Sequence, residues 1–249
     1  MMDCDPDTGT CFLPQNANET ISTVHQTATI PTVRYIGDPM CSWCWGISPE
    51  LKKVAEYCQN HGIGFGVTVS GLRPGGGDAW NEQFKAFLRH EWENIQRVTG
   101  QPFGFSLLDK DEFNYDTEPP CRAVVVMSKL LERHENSSRL ILEFLSGIQY
   151  RFYVDGEDPK SVEFYRELCS AAGVAYEDFL NAFLSSEAKA ATAQEFERCR
   201  HWGVRGFPSI LLDNNGGITL LSSGYTSSAT LIAKLETLLG ENKCVANRS

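Results

Sequence analysis

Two cysteines with two residues between them, in the run Met40-Cys41-Ser42-Trp43-Cys44, carry the strongest chemical signal in the chain. Thiols at this spacing can exchange a disulfide or supply half the ligands of a zinc ion. Zinc requires two more ligands at compatible spacing, and no second C-x-x-C or C-x-x-H follows. Only the distant Cys199 and His201 could serve, so the expected chemistry is redox, with no metal. The flanks strengthen this reading. Thr32 to Ile36 is a β-branched and aromatic run of strand length, and Gly37-Asp38-Pro39 is a turn signal. From Ser42 to Asn60, Ile47, Leu51, Val54, Ala55 and Cys58 recur on one helical face, with Pro49 expected to bend the helix about one turn in.

Cys41 thus stands at a helix mouth, where unpaired N–H groups and the positive end of the dipole favour a thiolate. Lowering a cysteine pKa from ~8.5 to ~7 takes about 2 kcal/mol, the upper end of what a helix terminus supplies, so a moderately acidic Cys41 is expected. Cys41 is the attacking sulfur in this scheme. Cys44, one turn deeper, closes on it and releases the mixed disulfide.

Other residues could also carry chemistry. Gly206-Phe207-Pro208-Ser209 places a proline at a strand start, where its missing N–H is tolerated. Cys4 and Cys11 flank a turn-forming sequence, Asp5-Pro6-Asp7-Thr8-Gly9-Thr10. They are candidate accessory thiols that could shuttle electrons with the main pair, or a metal loop. The preferred expectation is two unpaired cysteines in an unstructured arm, because neither a strand nor a helix mouth positions them. Cys58, Cys121, Cys169 and Cys199 sit in helical patterns as small hydrophobes, and Cys244 in a frayed tail. Trp43 and Trp45 flank Cys44 as an apolar landing surface or a shield, and His201 reads as packing or surface.

These residues need elements to hold them. Ile63 to Ser70 alternates as a second strand, broken off by the glycines after Leu72, so a β-α-β unit opens the fold. Amphipathic helical stretches follow near 80–98, 119–135, 138–153, 159–172 and 176–200, with Asp158-Pro159 read as a helix start. Ser209–Leu212 and Ile218–Ser222 form a hairpin about the turn Asn214-Asn215-Gly216-Gly217, and Ser227–Leu239 a closing helix that Gly240 ends. The expected fold is α/β and thioredoxin-like, β-α-β then β-β-α, with a large helical insertion. Its parts are a mobile arm at 1–30, the thioredoxin-like domain at 31–75 and 203–240, the insertion at 76–202, and a tail at 241–249.

Composition narrows the partners. With 249 residues, 42% hydrophobic and 22% charged, the chain can bury a core without staples, and no apolar run nears the roughly 18 residues of a membrane span. A net charge of −10 opposes nucleic acid, which binds through clustered Lys and Arg. The first thirty residues show no apolar signal segment, so a cytoplasmic address is expected, with most of the nine cysteines as free thiols.

The order strand, C-x-x-C, proline-bent helix, strand, helical insert, proline-led hairpin and helix resembles the DsbA-like thioredoxin-fold family over about residues 31 to 240. Asp38-Pro39-Met40-Cys41-Ser42-Trp43-Cys44-Trp45-Gly46, Gly71-Leu72-Arg73-Pro74-Gly75 and Gly206-Phe207-Pro208 resemble its FrnE-like branch, described as dithiol-disulfide isomerases. That resemblance implies a cis Pro208 lying against Cys41, a Phe207 backbone that binds an extended substrate segment, and no dissociable cofactor. Its substrates would be disulfide- or thiol-containing proteins or peptides. A neighbouring branch, the kappa-class glutathione transferases and chromene-carboxylate isomerases, shares the fold but usually lacks the paired cysteines. It stands as the alternative enzyme, with glutathione as its thiol. A non-enzymatic module that holds an extended peptide near Phe207, its thiols idle, is the third reading.

Overall fold

The computed structural model describes residues 3–12, 30–214 and 217–246, with side chains for 4–12, 30–214 and 217–240. Two short strands come first, β1 (Asp3–Asp5) and β2 (Thr10–Phe12), then β3 (Thr32–Gly37), α1 (Ser42–Asn60) and β4 (Gly64–Val69). Parallel pairing of β3 with β4 demands a crossover, and α1 supplies it. After the helical region come β5 (Gly206–Phe207), β6 (Ser209–Asn214) and β7 (Gly217–Ser223). The main sheet runs β4-β3-β6-β7, with β6 antiparallel to both of its neighbours. This is the expected mixed α/β arrangement, β-α-β and β-β-α around a helical insert.

β3 is central, and its side chains Val33, Tyr35 and Ile36 are fully buried. Its register sets the site, because Ile36 faces Ser209 and Tyr35 faces Ile210. The start of β6 therefore lies beside the end of β3, and Pro208 is carried to the turn that leads into Cys41.

Between β4 and β5 the chain forms helices α2 (Glu82–Thr99), α3 (Glu118–Leu130), α4 (Ser137–Tyr153), α5 (Arg166–Ala171), α6 (Tyr176–Leu184) and α7 (Ser186–His201). Asn81 caps α2 by accepting the Phe84 N–H at 2.9 Å, and Gly100, left-handed at φ 75°, ends it. An aromatic cluster ties the elements of this block together. Ring centroids are 4.8 Å apart for Phe152 and Tyr153, 5.3 Å for Trp92 and Tyr153, and 5.6 Å for Tyr115 and Phe152. Such pairs add about 0.5–1.5 kcal/mol each beyond area burial.

α1 absorbs its internal proline through a side chain. Pro49 has no N–H to give the Trp45 carbonyl, and the Gln101 amide supplies it at 3.0 Å while also reaching the Ser48 hydroxyl at 2.8 Å.

Several expectations need correction. Residues 3–12 are no loose arm: they form a hairpin in which Cys4 faces Cys11, and the two sulfurs are joined in a disulfide. The preference for two unpaired cysteines is therefore overturned. Residues 13–29 of that arm, and positions 215–216 of the hairpin turn, lie outside the described residues. The stretch 176–200 is two helices, divided at Ser185, whose extended backbone and side chain cap α7 through the Ala188 N–H at 3.0 Å. Asp158 starts a turn rather than a helix, its carboxylate accepting the Lys160 N–H at 3.0 Å; a 3-10 turn at Val162–Tyr165 then leads into α5. Gly240 does not end the last helix, α8 (Ser228–Ala246), because it keeps helical dihedrals. The segment read as a tail is thus helical to Ala246, and the Cys244 side chain lies outside the described part.

Candidate active site

The turn between β3 and α1 is held by a buried carboxylate. Asp38 accepts the Met40 N–H at Oδ1 (2.7 Å) and the Leu72 N–H at Oδ2 (2.7 Å), and its carbonyl accepts the Cys41 N–H (3.1 Å). Cys41 occupies the N-cap of α1 in extended conformation, φ −90° and ψ 117°. Its carbonyl accepts the N–H groups of Cys44 (3.0 Å) and Trp45 (3.1 Å), which begins the helix and stacks the second cysteine one turn below the first. Both thiols are fully buried and unoxidised.

Across from them is the start of β6. The Phe207–Pro208 peptide bond is cis, and the Cys41 thiol lies 4.0 Å from the Phe207 carbonyl oxygen. The structure thus brings together Cys41, Cys44, Trp43, Phe207 and Pro208, residues separated by 166 positions in the Cys41–Phe207 contact.

Electrostatics depart from expectation at Cys41. Burial pushes its thiol pKa well up, and the hydrogen bond to Cys44, the charge of Cys44 and that of Asp38 act in the same direction. The Cys44 N–H opposes them only in part. Moderate acidity from the helix mouth is therefore corrected for this closed arrangement, because desolvation of the anion outweighs the helix terminus. Burial likewise raises Asp38 to about 6, and the N–H groups of Leu72 and Met40 and the side chains of Thr117 and Cys121 limit the rise. The Tyr35 hydroxyl, without a nitrogen or oxygen partner among the described residues, faces the Cys44 sulfur.

The N-terminal hairpin docks on β5 and on Trp43, next to the cysteine pair in sequence and register. β2 pairs antiparallel with β5, placing Cys11 opposite Phe207 and Phe12 opposite Gly206. The hairpin turn rests on Trp43, whose indole is buried between Gly9 and Tyr225; the Trp43 and Tyr225 ring centroids are 6.1 Å apart. The Cys4–Cys11 disulfide is thus carried on the strand paired with Phe207, the residue whose carbonyl the Cys41 thiol approaches.

Other site residues carried no sequence signal of their role. Asp38 carries a turn signal and opens the motif around Cys41, but neither marks it as a buried acid. Tyr115, in an irregular segment before α3, donates its hydroxyl to the Met40 carbonyl at 2.8 Å from within the insertion. Cys121, expected to be a small hydrophobe, points its thiol at Asp38 Oδ2 at 3.5 Å. Of the remaining cysteines, Cys199 directs its sulfur to the Val69 carbonyl at 3.8 Å, and Cys58 and Cys169 are buried in helices.

Neither a family model nor a curated protein matches the chain. Solved structures do. A presumed protein disulfide isomerase from Nitrosomonas europaea is 32% identical with a TM-score of 0.73, over 85% of this chain and 98% of that one. The cytosolic disulfide reductase DsbM from Pseudomonas aeruginosa is 26% identical with a TM-score of 0.65, over 84% and 98%, and its structure with GSH aligns at 27% and 0.63. A 2-hydroxychromene-2-carboxylate isomerase, 12% identical with a TM-score of 0.53 over 88% and 99%, shares the fold alone.

Proposed function

This chain belongs to the DsbA-like thioredoxin-fold family of disulfide oxidoreductases and isomerases, and on that footing we propose that Cys41 is its attacking sulfur and Cys44 the resolving one. The observation that carries the assignment is the Cys41 thiol at the mouth of α1, 4.0 Å from the Phe207 carbonyl, with Cys44 one turn deeper. The Cys41 thiolate attacks a substrate disulfide, forming a mixed disulfide and expelling one substrate thiolate. Cys44 then attacks Cys41, releasing the second substrate thiolate and leaving a Cys41–Cys44 disulfide. An external thiol restores the dithiol.

The pairing edge of β5, which β2 occupies in this structure, supports the choice of substrate. A two-residue strand whose edge accepts β2 can equally accept an extended peptide by strand addition, with its cysteine brought opposite Phe207. Trp43 provides the apolar wall beside it. Substrates are thus disulfide- or thiol-containing peptides or proteins, and glutathione fits as the small thiol, since a related reductase is known with GSH. The working unit is the thioredoxin-like portion, 31–75 with 203–240, with the insertion 76–202 packed over its site. No helix among the described residues is long and apolar enough to cross a membrane, and six unpaired cysteines among them suit a reducing, cytoplasmic setting.

Insulin reduction with glutathione as electron donor tests this. Wild type is expected to turn over, Cys41→Ser to lose activity at least about 100-fold, and Cys44→Ser to stall as a mixed disulfide with substrate. Equal turnover by Cys41→Ser and wild type overturns the assignment.

A further inference from the structure

We infer that the Cys4–Cys11 disulfide is a second redox centre of this chain, docked as an added strand on β5 so that it exchanges directly with the Cys41–Cys44 dithiol. The inference rests on the catalytic reading above and adds an intramolecular partner to it.

Position is the first argument. Cys11 faces Phe207 in antiparallel register, and the Phe207 carbonyl is the group that the Cys41 thiol approaches at 4.0 Å. Adjacent strands lie about 4.8 Å apart, so the Cys11 backbone is one strand spacing from the residue against which Cys41 rests. Cys11 is fully buried at this junction, while Cys4, on the outer strand, is half-buried.

Fit is the second. Three glycines allow backbone approach that a side chain would forbid. A Cβ on Gly206 would come within 2.9 Å of the Cys11 carbonyl oxygen and also strike the Thr10 side chain. One on Gly224 would overlap the Thr8 carbonyl, and one on Gly9 would fall 3.0 Å from the Trp43 indole. Two of these glycines belong to the receiving surface and one to the hairpin. The complementarity is therefore built from both sides.

Redox state is the third. Cys4 and Cys11 are joined while Cys41 and Cys44 are both thiols, so one two-electron exchange separates this state from its converse. The Cys41 thiolate, its proton given to solvent, attacks the Cys11 sulfur. The Cys4–Cys11 bond breaks, a Cys11–Cys41 bond forms, and Cys4 leaves as a thiolate that its partial exposure lets water protonate. Cys44, deprotonated in turn, attacks Cys41; the Cys11–Cys41 bond breaks and Cys11 takes up a proton. The hairpin gains the two electrons and two protons that the C-x-x-C pair gives up, and no further oxidant enters. Burial that keeps Cys41 from external reagents does not hinder a disulfide held on the strand paired to the residue that Cys41 abuts.

The test uses the full-length protein isolated with the hairpin disulfide intact, with reduced glutathione as the reductant. Timed acid quench, alkylation with reagents of different mass and peptide mass spectrometry report the hairpin thiols directly. Reduction of Cys4–Cys11 is expected to slow at least about tenfold in Cys41→Ser, and Cys44→Ser to accumulate a peptide pair linked through Cys11 and Cys41. An unchanged rate in Cys41→Ser overturns the inference. Insulin reduction by the same preparations separates the two failures. Insulin activity retained with an unchanged hairpin rate sinks the relay alone, whereas a wild type inert toward insulin sinks both.

Discussion

The Asp38 carboxylate accepts the Leu72 N–H at 2.7 Å, so a fully buried acid three residues before Cys41 ties the turn at the end of β3 to the loop that leaves β4. The same carboxylate holds the Met40 N–H and receives the Cys121 thiol, which makes it the joint between the sheet domain and α3.

That joint carries a pH dependence. Burial raises Asp38 from 3.8 to about 6, so the folded state favours the protonated acid. The stability this contributes is complete below the unfolded pKa and is lost as pH rises through about 6, a change of roughly 3 kcal/mol at most. Urea denaturation at pH 4 and pH 7.5 should show wild type losing stability relative to Asp38→Asn over that interval. Parallel pH profiles for the two proteins would contradict it.

Gly206→Ala should loosen the hairpin without straining the backbone of β5. The added methyl meets the Thr10 side chain and the Cys11 carbonyl, and φ at this position is not left-handed. Overpacking of this kind costs about 1–3 kcal/mol, which raises the undocked population roughly fivefold or more. Iodoacetamide should label Cys41 correspondingly faster in the variant, and the rate-versus-pH curve should shift to lower pH as the thiolate regains water. Equal labelling rates would show that the hairpin does not shield Cys41.

Gln101 matters because of a hydrogen bond that Pro49 cannot make. Gln101→Ala leaves the Trp45 carbonyl without its side-chain donor and should cost about 1–2 kcal/mol in chemical denaturation. Where Pro49→Ala returns an N–H to the helix, the same substitution should cost less than half as much. A double-mutant cycle gives the coupling, and additive effects would refute it.

Tyr115→Phe removes the hydroxyl that reaches the Met40 carbonyl across the boundary between insertion and site. An expected loss of about 1–2 kcal/mol, with the fold retained by circular dichroism, follows from leaving a buried acceptor unpaired. Unchanged stability would mean that water replaces the hydroxyl.

Much of the frame was legible along the chain. The β-branched and aromatic run over Thr32 to Ile36, the apolar face from Ile47 to Cys58 and the proline before Ser209 placed β3, α1 and β6 within a residue or two, because each is a local signal. The C-x-x-C at a helix mouth identified the chemistry for the same reason. Helix boundaries at Ser185 and beyond Gly240 were less legible, since one capping side chain or one dihedral decides them.

The sequence by itself determined the cysteine pair to which the proposal assigns the reaction and the elements that carry it, because strand and helix periods and a cysteine pair at a helix mouth are short-range properties. Only the tertiary structure decided that Cys11 stands opposite Phe207, that Asp38 is sealed beneath α3, and that Cys41 favours its proton. Strand register between distant segments and the desolvation of a charge depend on everything packed around them, and no window of neighbouring residues contains that.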